Sequence, residues 1–501
     1  MQIKDKKVRR FPTIALIAAC GLQMTTPYCN AQIAESRVHK RLVVSISIDG
    51  LRSDLLEAYA DEYGADGFRK VCRQGIVYTN ASYPYPNVDR ASAVTTIATG
   101  TTPYYHSIVA SRWIDRASLR PVYCVDDSKY DGMNTKDCSS PKNISTSTIG
   151  DELKMSTDGK ATVYSIAPFR DAAVLAGGHA ANGAVWIDDE SGKWCSSTYY
   201  FSPSPSWLWL YNNGHSIANV LQSDSLKRFY RGEDKYRKYK RSILVNGSIT
   251  DIALECVKGT EMGTDTITDM LILTYTAGTT REAYGALDKA IARLVSGVES
   301  TIGVGNTLFI ITSTGTSEDD DTDYSRFRIP TGSVDIPRAI DLLNLYFGAI
   351  YGSGKYIEAG FGNHFFLDHK LIEQKRITLT DATTHAKELL LQLSGVRNVY
   401  TNLQILSSDN EHTNRIRNGY HPDRCGDVII EVQPGWKIVN EPWAEVTFSK
   451  YSHLQFPIII YGADKEHESI STPVTVDRIA PTIAKTIRIR APNGCASEAL
   501  Y

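Results

Sequence analysis

Short runs of apolar, β-branched residues recur along this chain, separated by stretches whose apolar positions fall at helical intervals. Arg41-Leu-Val-Val-Ser-Ile-Ser-Ile48 ends in Asp49-Gly50, and Leu51-Arg-Ser-Asp-Leu-Leu-Glu57 behind it has helical spacing. The pair predicts a buried strand feeding a helix. Comparable strands are predicted at Ala161–Ala167, Met270–Thr276, Leu308–Ser313, Val428–Val432 and Pro457–Tyr461, with helices at Glu282–Ser296 and Pro481–Ile487. Such alternation predicts an α/β fold with a mainly parallel sheet covered on both faces. Ligands of such sheets gather at the carboxyl ends of the strands, which makes Asp49 the first place to look for chemistry.

Between these pieces lie stretches rich in Tyr, Trp, Ser and Pro, notably Lys193–Tyr211, and a second region from Arg326 to Leu406. They read as cap insertions on one domain spanning 41–500, placed at about 116–145, 190–262 and 326–406. The aromatic cluster Trp194–Tyr211 is either a binding platform or the packing core of its insertion. Asp188-Asp-Glu190 reads as a hairpin turn, and His421-Pro-Asp-Arg-Cys-Gly426 as a strand-entry loop. The run Glu318-Asp-Asp-Asp321 lacks the spaced oxygen ligands and glycine of a calcium loop and reads as solvated.

Composition changes little in this picture. Apolar residues make up 42% of the chain and charged residues 22%, with a formal net charge of -2, so neither disorder nor nucleic-acid binding is indicated. The amino terminus stands apart: Lys4-Asp-Lys-Lys-Val-Arg-Arg10 precedes an apolar stretch from Phe11 to Met24, the pattern of a secretory signal over residues 1–31. Either cleavage follows Ala31, or Ile17-Ala-Ala-Cys20 serves as a lipoprotein box and Cys20 carries a lipid anchor. Both place the protein outside the cytoplasm, in the periplasm or at the outer membrane. No later apolar run reaches the ~20 residues a spanning helix needs. Nine cysteines become seven once Cys20 and Cys29 leave, so at least one stays without an intramolecular partner. Cys124 and Cys138 could staple the polar loop between them or stand as separate thiols.

Several motifs fall in a telling order. They are Ser47-Ile-Asp49-Gly-Leu-Arg-Ser-Asp54, Gly67-Phe-Arg-Lys-Val-Cys-Arg-Gln-Gly75, Thr96-Ile-Ala-Thr-Gly-Thr-Thr-Pro103 with His106, and Ala176-Gly-Gly-His-Ala180 with Trp186. Further on come Asn306–Ser313, Arg328-Ile-Pro330, Gly426-Asp-Val428 with Pro434-Gly-Trp436, and Ile479-Ala-Pro-Thr-Ile483. Together they resemble the alkaline phosphatase superfamily, in particular the bacterial phosphate-irrepressible alkaline phosphatases related to type I phosphodiesterases and nucleotide pyrophosphatases. The resemblance implies a three-layer α/β sandwich whose mainly parallel central sheet is flanked by helices and carries cap insertions. It also implies phosphate-ester hydrolysis by two zinc ions and a Thr or Ser nucleophile, the cations neutralising phosphoryl charge and activating the nucleophile.

Laid over that pattern, the chain departs at nearly every chemical position. Asp49 matches the first metal carboxylate. The nucleophile position, ten residues before Gly100, is Arg90, preceded by Asp89; Ser92 and Thr96 lie nearby in the wrong register. A cation there also opposes the helix dipole that would favour a phosphate. Ser111 replaces a phosphate-binding amide. Phe169 and Asp171 replace a Lys and an Arg, leaving Arg170 between them. Ser313-Thr-Gly-Thr316, with Thr314, stands where an Asp-His pair is expected, and Ala277-Gly-Thr-Thr-Arg-Glu-Ala283 where a second pair is expected. Glu445-Val-Thr-Phe448 stands at the last histidine, with His453 the nearest candidate.

The resulting vestigial set is Asp49, Asp89, Arg90, Ser92, Ser111, Arg170, Asp171 and Thr314, with Asp49 the sole metal-ligand match. His106 and His179 read as structural. The expectation is a non-catalytic envelope protein acting in binding or assembly, without a cofactor, with a protein partner or an anionic ligand. The alternative is an active zinc-dependent phosphomonoesterase or phosphodiesterase. An ionised Asp49 without metal needs compensation. Either Arg90 supplies it as a salt bridge, or Arg90 faces solvent and Asp49 caps the helix that follows.

Overall fold

The Leu42–Asp49 strand is buried along all eight residues, because it lies at the centre of an eleven-stranded sheet. In the computed structural model, which describes residues 39–501 apart from 216, 224–225, 316–327, 408, 444 and 449–454, its neighbours are Asp269–Thr276 and Thr307–Ser313, both parallel to it. Val163–Ile166 and Gly183–Ile187 extend the parallel set beyond Asp269–Thr276. The flanks turn antiparallel: Trp194–Ser197 pairs with Gly183–Ile187, Phe456–Tyr461 with Thr307–Ser313, and Ile76–Ser82 with Phe456–Tyr461. The leader (1–31), the Glu318–Asp321 run and His453 lie outside the described residues.

Alternation along the strands builds the layers, since successive side chains point to opposite faces. Leu42, Val44, Ile46 and Ile48 pack with Leu271, Leu273, Phe309 and Ile311 on one face, beneath the helices Val245–Thr260 and Arg281–Ile302. Val43, Met270, Ile272, Leu308 and Ile310 face the other way, toward the helices Arg90–Thr99, Arg170–Gly177 and Ile479–Ile487. The result is helix, sheet, helix. Among the described residues no helix is long and apolar enough to cross a membrane.

One prediction needs correction. Val428–Val432 is a strand but does not belong to the central sheet: it pairs antiparallel with His364–Leu367 and Val396–Thr401 in a separate four-stranded sheet with its own hydrophobic cluster. An apolar run encodes burial and not the identity of its partner, so the material off the central sheet continues past residue 406. Of the two readings offered for Cys124 and Cys138, separate thiols is the one found: both are free, as are all seven described cysteines. The Asp188–Glu190 turn does join the antiparallel strands Gly183–Ile187 and Trp194–Ser197.

Arg116, at the turn of the separate hairpin Arg112–Asp115 and Arg120–Tyr123, ties that hairpin to the second sheet. It donates to the Cys425 carbonyl at 2.7 Å and pairs at 3.3 Å with the buried Asp427, which also meets His369 at 3.0 Å.

Candidate functional site: a buried ion cluster at the strand ends

The helix Arg90–Thr99 is set by its two ends. Asp89 caps it, accepting from the Ser92 amide at 3.0 Å while Ser92 Oγ accepts from the Asp89 amide at 3.2 Å, and Gly100 closes it in the left-handed conformation at φ 65°. The second Asp89 oxygen accepts from the Ser111 amide at 2.8 Å. Burial pushes the Asp89 carboxyl up, against the pull of those two amides. Arg90 therefore occupies the first helical position, beside the carboxyl ends of the central strands.

Its guanidinium turns inward. Arg90 Nε donates to Asp49 Oδ2 at 2.8 Å, and its Nη1 lies 3.8 Å from Asp171 Oδ1. The other Asp49 oxygen accepts from the Thr314 hydroxyl at 2.8 Å. Thr314 is held in turn through its amide, which donates to the Ile48 carbonyl at 3.2 Å. Beneath the guanidinium lies the Phe169 ring, its centroid 3.6 Å away, a cation over a π face. The Asp49 and Asp171 side chains are 9% and 2% exposed and that of Arg90 15%, so this is a buried ion cluster and not a surface pair.

Of the residues singled out from sequence, Asp49, Arg90, Asp171 and Thr314 thus converge. Asp49 does not cap the helix that follows, whose N-cap is Arg52. Asp89, Ser92 and Ser111 are engaged in the helix cap, Ser111 through its amide. Arg170 turns away, pairing with Asp126 at 2.9 Å and stacking over Tyr123 at 4.4 Å. His106 is buried against Thr96, and His179 pairs with Asp151 at 3.1 Å. Lys240, from the 190–262 insertion, was not visible as a site residue in the sequence. It bonds the Ile187 carbonyl at 3.0 Å and lies 5.1 Å from the Phe169 ring. No motif marks it, because its contact depends on how an insertion folds back.

These residues do not fit a zinc centre. Zinc takes about four ligands at ~2.0–2.3 Å. Both Asp49 oxygens are already accepting, one from a cation whose charge would repel a metal ion placed there. Among the described residues no group of three or more His, Cys, Asp or Glu is arranged to hold a metal.

The family described as type I phosphodiesterase / nucleotide pyrophosphatase matches residues 43–455. The chain belongs to this family. Within the alkaline phosphatase superfamily it is similar to alkaline phosphatase PhoV of Synechococcus elongatus, at 25% identity covering 92% of each chain. Alkaline phosphatase PafA of Elizabethkingia meningoseptica is 24% identical, over 95% of this chain and 97% of that protein. The solved structure of wild-type PafA matches with a TM-score of 0.80 at 22% identity, covering 92% of this chain and 98% of that one. That likeness shows the alkaline-phosphatase-like fold. This phosphodiesterase-family chain is therefore an alkaline-phosphatase-fold protein related to phosphoric ester hydrolases.

Proposed function

We propose that this chain is a non-catalytic member of its family, exported to the bacterial envelope, where it binds a protein partner or an anionic ligand. The observation that carries the reading is Arg90, whose guanidinium bridges Asp49 and Asp171 at the first helical position. Phosphoryl transfer requires an activated nucleophile and positive charge aimed at the transferred oxygens. Here the position matching the nucleophile holds a cation paired with Asp49 at 2.8 Å and 3.8 Å from Asp171. Asp171, where the resemblance expects positive charge, would repel a phosphate. The leader sequence supports export.

A second reading, an active metal-dependent phosphomonoesterase or phosphodiesterase, is favoured by the alkaline phosphatases to which nearly the whole chain is similar. One experiment separates the two: metal content of the purified protein, with hydrolysis of an aryl phosphate and an aryl phosphodiester in added zinc. The first reading predicts no bound zinc and no turnover above buffer. About two zinc ions per chain, with turnover abolished by Asp49→Ala, would establish the second.

A further inference from the structure

The insertion between Ser206 and Leu244 carries eight Lys and Arg against three acidic residues, in a chain whose formal net charge is -2. Lys240 among them is buried, but most of the others are exposed, alongside exposed apolar side chains. The helix Ser206–Gly214 buries Trp207, Leu208 and Tyr211 in the cluster beneath Val245–Thr260. At 3.6 residues per turn, that inward face leaves Trp209 and Leu210 pointing out, each 61% exposed. The next helix, Ile217–Leu221, repeats the arrangement: Ile217 and Leu221 pack into the same cluster and Val220 faces out. Phe229, a few residues on, is 74% exposed. Within some twenty residues of chain, four large apolar side chains thus stand exposed on segments whose other faces are buried.

Lys227, Arg228, Arg231 and Lys238 are exposed in the same stretch. Lys238 is turned outward because Tyr236 and Tyr239, its neighbours on the helix Lys235–Arg241, anchor in the same hydrophobic cluster. An exposed apolar patch of this kind marks contact with another phase or partner. The charge around it decides which. Protein–protein interfaces are depleted in Lys, whereas aromatic tips rimmed by Lys and Arg match a bilayer interface, rings at headgroup depth and cations against lipid phosphates.

We propose that the 206–244 insertion docks the protein on an anionic phospholipid surface. This holds whether or not the pocket at Asp49 catalyses anything, since none of the docking residues belongs to that pocket. The test is cosedimentation of the full chain with vesicles of phosphatidylglycerol and phosphatidylcholine, against vesicles of phosphatidylcholine alone. Binding is expected to the anionic vesicles only and to weaken as salt rises. Each cation near a charged bilayer is worth about fivefold in partitioning, so the combined variant Lys227→Glu, Arg228→Glu, Arg231→Glu is expected to bind at least ~30-fold more weakly. Trp209→Ser with Phe229→Ser, which removes the inserting rings, is expected to weaken binding by about tenfold or more. These residues are exposed, so unchanged circular dichroism confirms that the variants fold. Attachment through a lipidated leader would persist in both variants and in high salt. Equal binding to both vesicle types, binding untouched by the variants, or self-association through this face without vesicle binding would each overturn the proposal.

Discussion

Arg90 is the residue on which the pocket turns. A guanidinium forms several hydrogen bonds in fixed geometry and desolvates more readily than an ammonium, so it can sit between Asp49 and Asp171 where a Lys would satisfy fewer acceptors. Removing one partner of a buried ion pair leaves the other charged and uncompensated. Arg90→Ala is therefore expected to destabilise the protein by about 3 kcal/mol, the low end for buried pairs because Arg90 keeps some exposure. Asp49→Asn should also destabilise, and the double variant by clearly less than the two effects added. A double-mutant cycle in denaturant measures this, and additive effects would show that the pair is not coupled. The ion pair was legible in sequence as one of two readings, because an orphaned carboxylate and an unexpected arginine fell at matching positions of one pattern; which way Arg90 turns was not. The Phe169 ring beneath Arg90 was legible only as a substitution, since ring stacking leaves no spacing signature. Lys240 was not legible at all.

At the scale of elements, the helix Arg90–Thr99 is held by a buried histidine. His106 lies at the end of the short helix Pro103–His106. Its Nδ1 accepts from the Ile108 amide at 3.1 Å, which leaves Nε2 to carry the proton toward Thr96 Oγ1, also 3.1 Å away, and Thr96 meets the Tyr85 hydroxyl at 3.0 Å. Protonating His106 would set two donors face to face. Burial pushes its pKa down to about 3, so below the ordinary value of about 6.5 the unfolded chain binds the proton that the folded one refuses. This contribution to stability is complete above pH ~6.5 and is lost as pH falls from there toward 3. Replacing His106 with Gln is expected to make chemical-denaturation stability depend less on pH over that window; an unchanged dependence would show that His106 does not supply it. The strands were legible from their apolar runs, but which sheet each joins was not. Val428–Val432 is as apolar as a central strand and pairs elsewhere, because its neighbours are chosen by chain connections far outside any local window.

For the whole molecule, the order of motifs fixed the fold, and the alkaline-phosphatase-like match confirms it. Function does not follow from the fold, because chemistry resides in the site grafted onto it. In this chain the strand ends face a capped helix across a buried ion cluster of Asp49, Arg90 and Asp171. The most direct test is a crystal structure of the purified protein grown with added zinc, with anomalous data collected at the zinc edge. The account predicts no anomalous peak at Asp49 and the Arg90 Nε to Asp49 Oδ2 bond in place. A strong peak bonded to Asp49, with Arg90 swung away from it, would contradict the account and identify the pocket as a metal centre.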